Sequence, residues 1–514
     1  FLRVCLEKML SIISRSAVRT SMSCVHRRCI VTAKFPYGES SFRGASADGR
    51  YFVDKTAFIR TLEAAGEYNQ IWRPRRFGKT IVCDMLAEYY DVANSKEQLK
   101  EIFGETDTMK KNLTTEEMGK YLVLSLSFSD VSPEGDVMKN FRDCMNRSCK
   151  LFAEKYHDAG LLKRIVDINP TDELDTLQDL FGVVRLSGHK IYLIVDECDA
   201  FVNRLLLSVD TSQPDLGRQQ YELVVSGKES MLRNWGNVIK TGTVRTIARA
   251  FFTGVAPQAF SDGLSSLNMV KDLTFAPKLE GMFGLTAADV SRGLGMITHL
   301  TAEQRTEHLE QMRVQYDGYR FVPMQKEPLF NPQYVLYYLD HLDRKGVPPQ
   351  GLIDPAVNNG TDNVAQFLIS NYEAGAPYTP LDFLLDITSP EEMGTFLAEV
   401  TPAFRSKDLF QANTVSKSLV SLAFFHGFLT YKTDKDQRSV LTSPNLVMQS
   451  VYARALFAGL PTQRLEQLEV MLHSGKPDLK EFKRVVRLGY DEAVKAGGKS
   501  IGVAAMKALV DRLL

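Results

Sequence analysis

The residues best suited to chemistry in this 514-residue chain gather in one stretch, Trp72 to Asp91, which reads WRPRRFGKTIVCDMLAEYYD. Gly78, Lys79 and Thr80 stand together just before an apolar-periodic run. A triphosphate needs positive charge and hydrogen-bond donors packed closely around its oxygens. Backbone N–H groups near a helix start supply donors. A glycine lets the chain come close. A lysine reaches the β and γ phosphates, and a threonine hydroxyl faces magnesium. Arg75, Arg76, Phe77, Gly78, Lys79, Thr80 and Ile81 are therefore the candidate ATP-binding residues, with Thr80 also a candidate Mg2+ ligand. The usual phosphate loop carries a first glycine five residues before the second. Here Arg73 occupies that place and Pro74 follows, fixing one φ angle. Arg73, Arg75 and Arg76 add positive charge that suits phosphate or an acidic partner equally. A Gly-Lys-Thr triplet also arises by chance, so it needs support from a second site.

That support comes from HKIYLIVDECDAF, where an apolar run from Ile191 to Val195 ends in Asp196 and Glu197. An apolar strand ending in an acid delivers a carboxylate to the edge of a sheet where ligands bind. Asp196 is the candidate magnesium ligand, since that ion takes oxygen ligands beside phosphates. Glu197 is placed to polarise an attacking water, although acids also favour helix N-termini for electrostatic reasons. Asp199 shares that second explanation and ranks below it. Thr253, near the end of TVRTIARAFFTGVAP, either senses the γ phosphate and holds the water or caps a strand. The candidate catalytic group is thus Lys79, Glu197 and Thr253. Arg249 and Arg320 are candidate phosphate contacts only. The eight histidines form no recognisable ligand set, and His189 and His426 read as structural.

These residues require a strand, a loop and a helix in that order. Tyr68 to Trp72 supplies a short extended run, and Ile81, Val82, Met85, Leu86 and Tyr89 recur at helical spacing behind the loop. Further strands are expected at Tyr121–Ser129, Ile191–Val195 and within Thr243–Pro257, ending near Thr253. Helical stretches separate them, which argues an α/β layer with a mostly parallel sheet. From about Thr286 leucine-rich helical pieces follow one another, interrupted by FFHGFLTYKTDKDQRSVLTSP, which reads as a hairpin or wing. The composition is globular, 44% hydrophobic and 24% charged, and a net charge of zero gives no overall argument for nucleic acid. Seven scattered cysteines suggest neither a disulfide framework nor a zinc site. No apolar run is long enough for a membrane span. Lys8 to Gly38 contains four arginines, many serines and no acid, the pattern of a mitochondrial targeting segment. The expected organisation is a targeting segment over 1–33, a nucleotide-binding domain over 34–285 and a mostly helical region over 286–514 with a winged-helix-like part.

The chain resembles the predicted AAA-ATPase-like family of P-loop proteins from about Phe35 to Ser450. FPYGESSF and YFVDKT resemble its opening segment, and RPRRFGKT matches its variant loop, in which the first glycine is absent. IYLIVDECDAF resembles its acidic strand, with Cys198 where an aromatic is usual. FFTGVAP resembles its following strand, with Ala256 and Pro257 where serine and lysine are common. QYDGYRF, LFNPQYVL, GFLTY and SPN resemble later blocks. The resemblance implies an α/β P-loop NTPase fold of AAA+/STAND-like type, a parallel-sheet domain followed by a mostly helical C-terminal region. It implies ATP binding and a nucleotide-switch architecture. Many relatives carry a C-terminal restriction-type nuclease, but the last sixty residues lack its acidic spacing and none is expected. The leading expectation is an Mg-dependent ATPase in the mitochondrial matrix that reports nucleotide state to a protein partner or multiprotein complex. One rival is a non-catalytic assembly subunit, which the departures at Cys198, Ala256 and Pro257 favour. The other is a nucleic-acid-associated ATPase, which the arginines at 73, 75 and 76 and the run KEFKRVVR permit.

Overall fold

Each apolar run with a turn behind it becomes a strand whose carboxyl end points to one edge. Strand β1 (Tyr68–Trp72) follows helix α1 (Phe58–Ala65) and leads through the Arg73–Gly78 loop into α2 (Lys79–Tyr90). Strand β2 (Leu122–Ser127), helices α3 (Val137–Asp158) and α4 (Glu173–Ser187), and β3 (Ile191–Asp196) come next. Helices α5 (Ala200–Leu207) and α6 (Met231–Thr243) precede β4 (Ile247–Gly254) and the two-residue β5 (Lys271–Asp272). All pairings are parallel and the order is β2-β3-β4-β1-β5. Every residue of β3 is buried, which requires cover on both faces and explains its unbroken apolar run. Helix α2 packs on β3, β4 and β2, α3 on β2, and α6 on β4. The sheet order matters for the site. Strand β4 lies between β1 and β3, so its end separates the loop after Trp72 from the carboxylate at Asp196.

This computed structural model describes residues 34–495, apart from 48, 208–218, 220, 352, 355–358, 371–399, 406–414, 434–438, 457–459, 462, 465–466 and 469–478. The targeting segment expected over 1–33 therefore lies outside the described residues. From Phe35 onward the described residues belong to one compact unit. Beyond the sheet run α7 (Ala287–Gly295), α8 (Ala302–Tyr316), α9 (Pro332–Lys345), α10 (Asn359–Ser370), α11 (Val415–Phe425), α12 (Leu446–Leu456) and α13 (Leu479–Lys495). Their starts are capped as short polar residues dictate. Thr286 and Thr301 form capping boxes, and Asn331 accepts the N–H groups of Gln333 and Tyr334 ahead of Pro332. Between α11 and α12 stands an antiparallel hairpin, β6 (Thr430–Thr433) with β7 (Ser439–Thr442), within the segment whose sequence reads as a hairpin or wing. No described helix is long and apolar enough to cross a membrane.

Candidate functional site

The loop is pinned at its first residue. Arg73 donates its backbone N–H to the Gly254 carbonyl at 3.1 Å, continuing the β1–β4 ladder. Its fully buried guanidinium donates to the Trp72 carbonyl (2.8 Å) and the Thr274 carbonyl (3.0 Å) and lies 4.5 Å from the Phe321 ring centre. Burial pulls its pKa down to about 9, against the attraction of Asp272. Arg73 therefore faces the core and anchors the loop, away from any phosphate. Arg76 and Gly78 both adopt left-handed backbone, φ 69° and 83°. No atom lies within 4 Å of where a Gly78 Cβ would sit, so within the protein the torsion, rather than crowding, demands glycine. The first backbone bond of α2 runs from Val82 N–H to the Gly78 carbonyl, leaving the N–H groups of Lys79, Thr80 and Ile81 without an intrahelical acceptor. The Lys79 ammonium folds back over the loop and donates to the carbonyls of Arg73 (3.1 Å) and Pro74 (3.0 Å). Burial lowers its pKa, and the charges of Glu197, Asp196 and Asp199 oppose that shift.

Across the end of β4, the Thr80 hydroxyl donates to Asp196 Oδ2 at 2.7 Å. Asp196 is buried, and desolvation raises its pKa against the Thr80 bond and the Lys79 charge. Its Oδ1 accepts the Glu197 N–H at 2.9 Å. The structure thus brings Lys79, Thr80, Asp196 and Glu197 together. Thr253 is placed otherwise. It is fully buried, and its hydroxyl donates to the Ile71 carbonyl at 2.9 Å while its own carbonyl accepts the Cys198 N–H at 3.0 Å. These bonds tie β1, β4 and the end of β3 together, which is the strand-end role. Arg249 lies at the other end of β4, where it pairs in register with Tyr192 and bonds to the Gly66 carbonyl (3.4 Å), with Glu117 3.7 Å away. It is not a phosphate contact. The charge of Arg320 acts on Asp317, and its backbone bonds to Thr430 and Tyr431.

Asp199 has a larger part than its sequence rank implied. It is fully buried and accepts N–H groups from Val255 (3.0 Å) and Ala256 (2.7 Å) and the Asn203 amide (2.6 Å). Asn203 in turn accepts from Gln258. Desolvation raises the Asp199 pKa, and the Ala256 and Val255 N–H groups resist. At positions where the family commonly has serine and lysine, Ala256 and Pro257 continue a turn held through backbone donors. The sequence signal was available: an acid three residues past Asp196, at the end of the turn that leads into α5.

A model of the predicted AAA-ATPase family matches residues 36–263. These residues are an AAA-ATPase-like domain of the P-loop NTPase class. The match takes in the whole loop, the acidic strand and β4, and leaves β5 and the whole helical region outside it. An uncharacterized protein in the vnfD 5' region of Azotobacter chroococcum mcd 1 is 24% identical over 305 residues, 58% of this chain and 50% of that protein. The match thus spans half the length of that relative. The Aeropyrum pernix ORC2 protein, solved in ADPNP–ADP complexes, aligns at 11% identity and a TM-score of 0.33, over 78% of this chain and 90% of that one. The Drosophila ORC bound to poly(dA/dT) DNA and Cdc6 aligns at 14% identity and a TM-score of 0.15, over 96% of this chain and 76% of that one. Superpositions this loose decide nothing about function.

In the AAA-ATPase-like domain, a hydroxyl and a carboxylate 2.7 Å apart beside a lysine form a hard-oxygen pair. Magnesium suits such a pair, because it takes one or two protein oxygens and fills its other positions from phosphates and water. No group of three acidic, histidine or cysteine ligands exists among the described residues. The helical region also reaches this domain. Phe77 packs edge-on against Tyr319 (4.8 Å) and Phe321 (5.1 Å), Arg76 stands 5.9 Å from the Tyr334 ring, and the Asn331 amide donates to the Arg75 carbonyl at 3.3 Å. Phe77 is thus a packing residue rather than a ligand contact. No local sequence pattern discloses contacts between positions so far apart in the chain.

Proposed function

We propose that this protein binds ATP with magnesium and hydrolyses it, acting as a nucleotide switch on a protein partner. The observation that carries this reading is the contact between Thr80 and Asp196, with buried Lys79 beside it and Glu197 next in the chain. Thr80 and Asp196 would hold the magnesium, which when bound neutralises charge on the phosphates. The free N–H groups at the start of α2 and the Lys79 ammonium would bind the phosphate oxygens and stabilise charge as the phosphoryl group transfers. Glu197 would accept a hydrogen bond from the attacking water and orient it. The helical region, packed directly on Phe77, would carry the nucleotide state to the partner by a change in its packing.

Steady-state phosphate release and fluorescent-nucleotide binding test this with the full chain. Lys79→Ala is expected to abolish measurable ATP binding and turnover. Glu197→Gln is expected to keep ATP affinity while lowering kcat by about 10²–10⁴-fold, the usual range for losing a positioned general base. Turnover that survives Lys79→Ala, or a wild-type protein that binds no nucleotide, would refute the proposal.

A further inference from the structure

Helices α4 and α6 pack side by side, and their C-terminal halves enclose a groove of about 570 Å³. That volume falls in the range of binding pockets. The lining runs from Gln178 to Arg185 on α4, and from Asn237 on α6 to Thr246 in the turn behind it. Both helices end just before a strand begins, at Ile191 and at Ile247. The groove therefore lies at the edge of the sheet opposite to Asp196 and Gly254. The length of β3 puts roughly 17 Å between the two edges.

One lining residue is a glycine that the fold does not require. Gly182 lies inside α4, where glycine lowers stability relative to alanine. Its backbone is not left-handed, and no atom lies within 4 Å of where its Cβ would sit. Gly242 on α6 is the contrast. A Cβ there would meet Phe181 at 2.8 Å and Ile247 at 2.9 Å, so that glycine serves packing. A helical glycine with neither a torsional nor a packing reason points to an occupant of the space beside it. The polar groups are one-sided as well. Arg185 and Arg245 both line the groove and are exposed, and among the described residues neither guanidinium has a hydrogen-bond or ion-pair partner. Among the described residues no acid lines it. Asp179, beside Gln178 in sequence, is taken up by both terminal nitrogens of Arg164. The carbonyls where α6 ends are engaged too. Thr241 accepts the Val244 N–H at 3.3 Å, Gly242 the Thr246 N–H at 2.8 Å, and Arg245 the Lys190 ammonium. The free charge is thus positive, and it accompanies the apolar side chains of Phe181, Val238 and the exposed Val244.

We propose that this groove docks an acidic, amphipathic segment of a protein partner, with an apolar side chain in the space over Gly182 and carboxylates paired with Arg185 and Arg245. Guanidinium groups present planar forks of donors that match carboxylates. From Gln178 to Arg185 the groove follows α4 for about 10 Å, two turns of a docked helix. Nucleic acid gains its affinity from many phosphates, and two free cations beside apolar side chains offer it little. The surface belongs to the AAA-ATPase-like domain itself, apart from the phosphate loop and the helical region, and does not depend on the nucleotide reading.

A displayed library of random 12-residue peptides, selected on the full chain and depleted on its Gly182→Leu variant, tests this. Leucine fills the groove and favours the helix, so the variant should melt no lower than wild type. Enriched peptides are expected to carry two or more Asp or Glu around a large apolar residue. In fluorescence anisotropy they are expected to bind Gly182→Leu, Arg185→Glu and Arg245→Glu at least about tenfold more weakly than wild type, as filling a pocket or opposing like charges does. Lys79→Ala should change their affinity by less than about twofold, because the phosphate loop lies at the other edge. Melting curves verify that the arginine variants are folded. No enrichment over Gly182→Leu, enriched peptides without acids, or full affinity in both arginine variants overturns the proposal. A 20-nucleotide strand that binds wild type and is lost in Arg185→Glu would assign the groove to nucleic acid and overturn it too, as would peptide binding lost in Lys79→Ala. A chain that binds these peptides but no ATP refutes the nucleotide reading alone.

Discussion

Glu197 and Arg76 hold left-handed backbone, φ 48° and 69°, on opposite sides of the phosphate site. For residues with a Cβ this conformation costs on the order of 1–2 kcal/mol each. Both are held by neighbours, Glu197 through its N–H on Asp196 and Arg76 by stacking toward Tyr334. Strain of this kind gathers where a side chain must be aimed. His426 shows the electrostatic counterpart. Burial, with the charges of Arg75 and Lys79, pulls its pKa from 6.5 down to about 3. In the unfolded chain it protonates as the pH falls below 6.5, whereas in the fold it stays neutral until about 3. The unfolded state therefore binds the extra proton in that window, and the His426 contribution to stability is lost as pH falls. Between pH 7.5 and 5.5 the urea-unfolding gap between wild type and His426→Leu should move by about 1.4 kcal/mol in favour of the variant. A gap that does not change with pH would mean that His426 is solvated and ordinary.

At the scale of elements, the site depends on how β4 ends. Gly254 pairs with Trp72 on β1, and a Cβ there would run into the Asp199 carboxylate and come within 2.7 Å of the Trp72 ring. Gly254→Ala should therefore destabilise the fold by about 1–3 kcal/mol, as overpacking does. It should also weaken ATP binding, because the displaced Asp199 belongs to the turn that begins at Asp196. Gly295, at the end of α7 with open space around it, is the control: Gly295→Ala should be neutral or stabilising by up to about 1 kcal/mol. Similar losses of stability in the two variants would argue against the crowding. Much of this layer was legible in the sequence. The run at Ile191–Val195 marked a strand because a covered strand must be apolar throughout; Tyr68–Trp72, which carries Asn69 and Gln70, was legible only as the short extended run ahead of the loop, and the segment around Gly427 as a hairpin or wing. The strand order was not legible, because pairing partners leave no local trace, nor was β5, whose Lys271 and Asp272 are both exposed. Nor does residue type fix direction. Arg73 and Arg249 look like phosphate ligands in a string of letters, yet one stacks on a core ring and the other sits at the far end of its strand.

At the scale of the whole molecule, the phosphate loop and the helical region share one core. Phe77 is buried among Tyr319 and Phe321, Arg73 lies on Phe321 and Phe283, and Gly427 presses on Pro74. A ligand that stabilises the loop must then also oppose any opening that separates the helical region from it. By mass action, nucleotide at a hundred times its Kd suppresses such openings by about 2.7 kcal/mol, roughly a hundredfold. Hydrogen exchange should therefore slow on adding ATP in segments 316–335 and 422–431 as well as in 73–82, with the helices outside this contact, such as α13, unaffected. Gly427→Ala, which would push the corner off Pro74 and strain a left-handed residue (φ 83°), should keep the protection at 73–82 and lose most of it in the helical segments. Protection confined to 73–82 in the wild type would show that the two regions open independently, and a switch working through Phe77 would then have no physical basis.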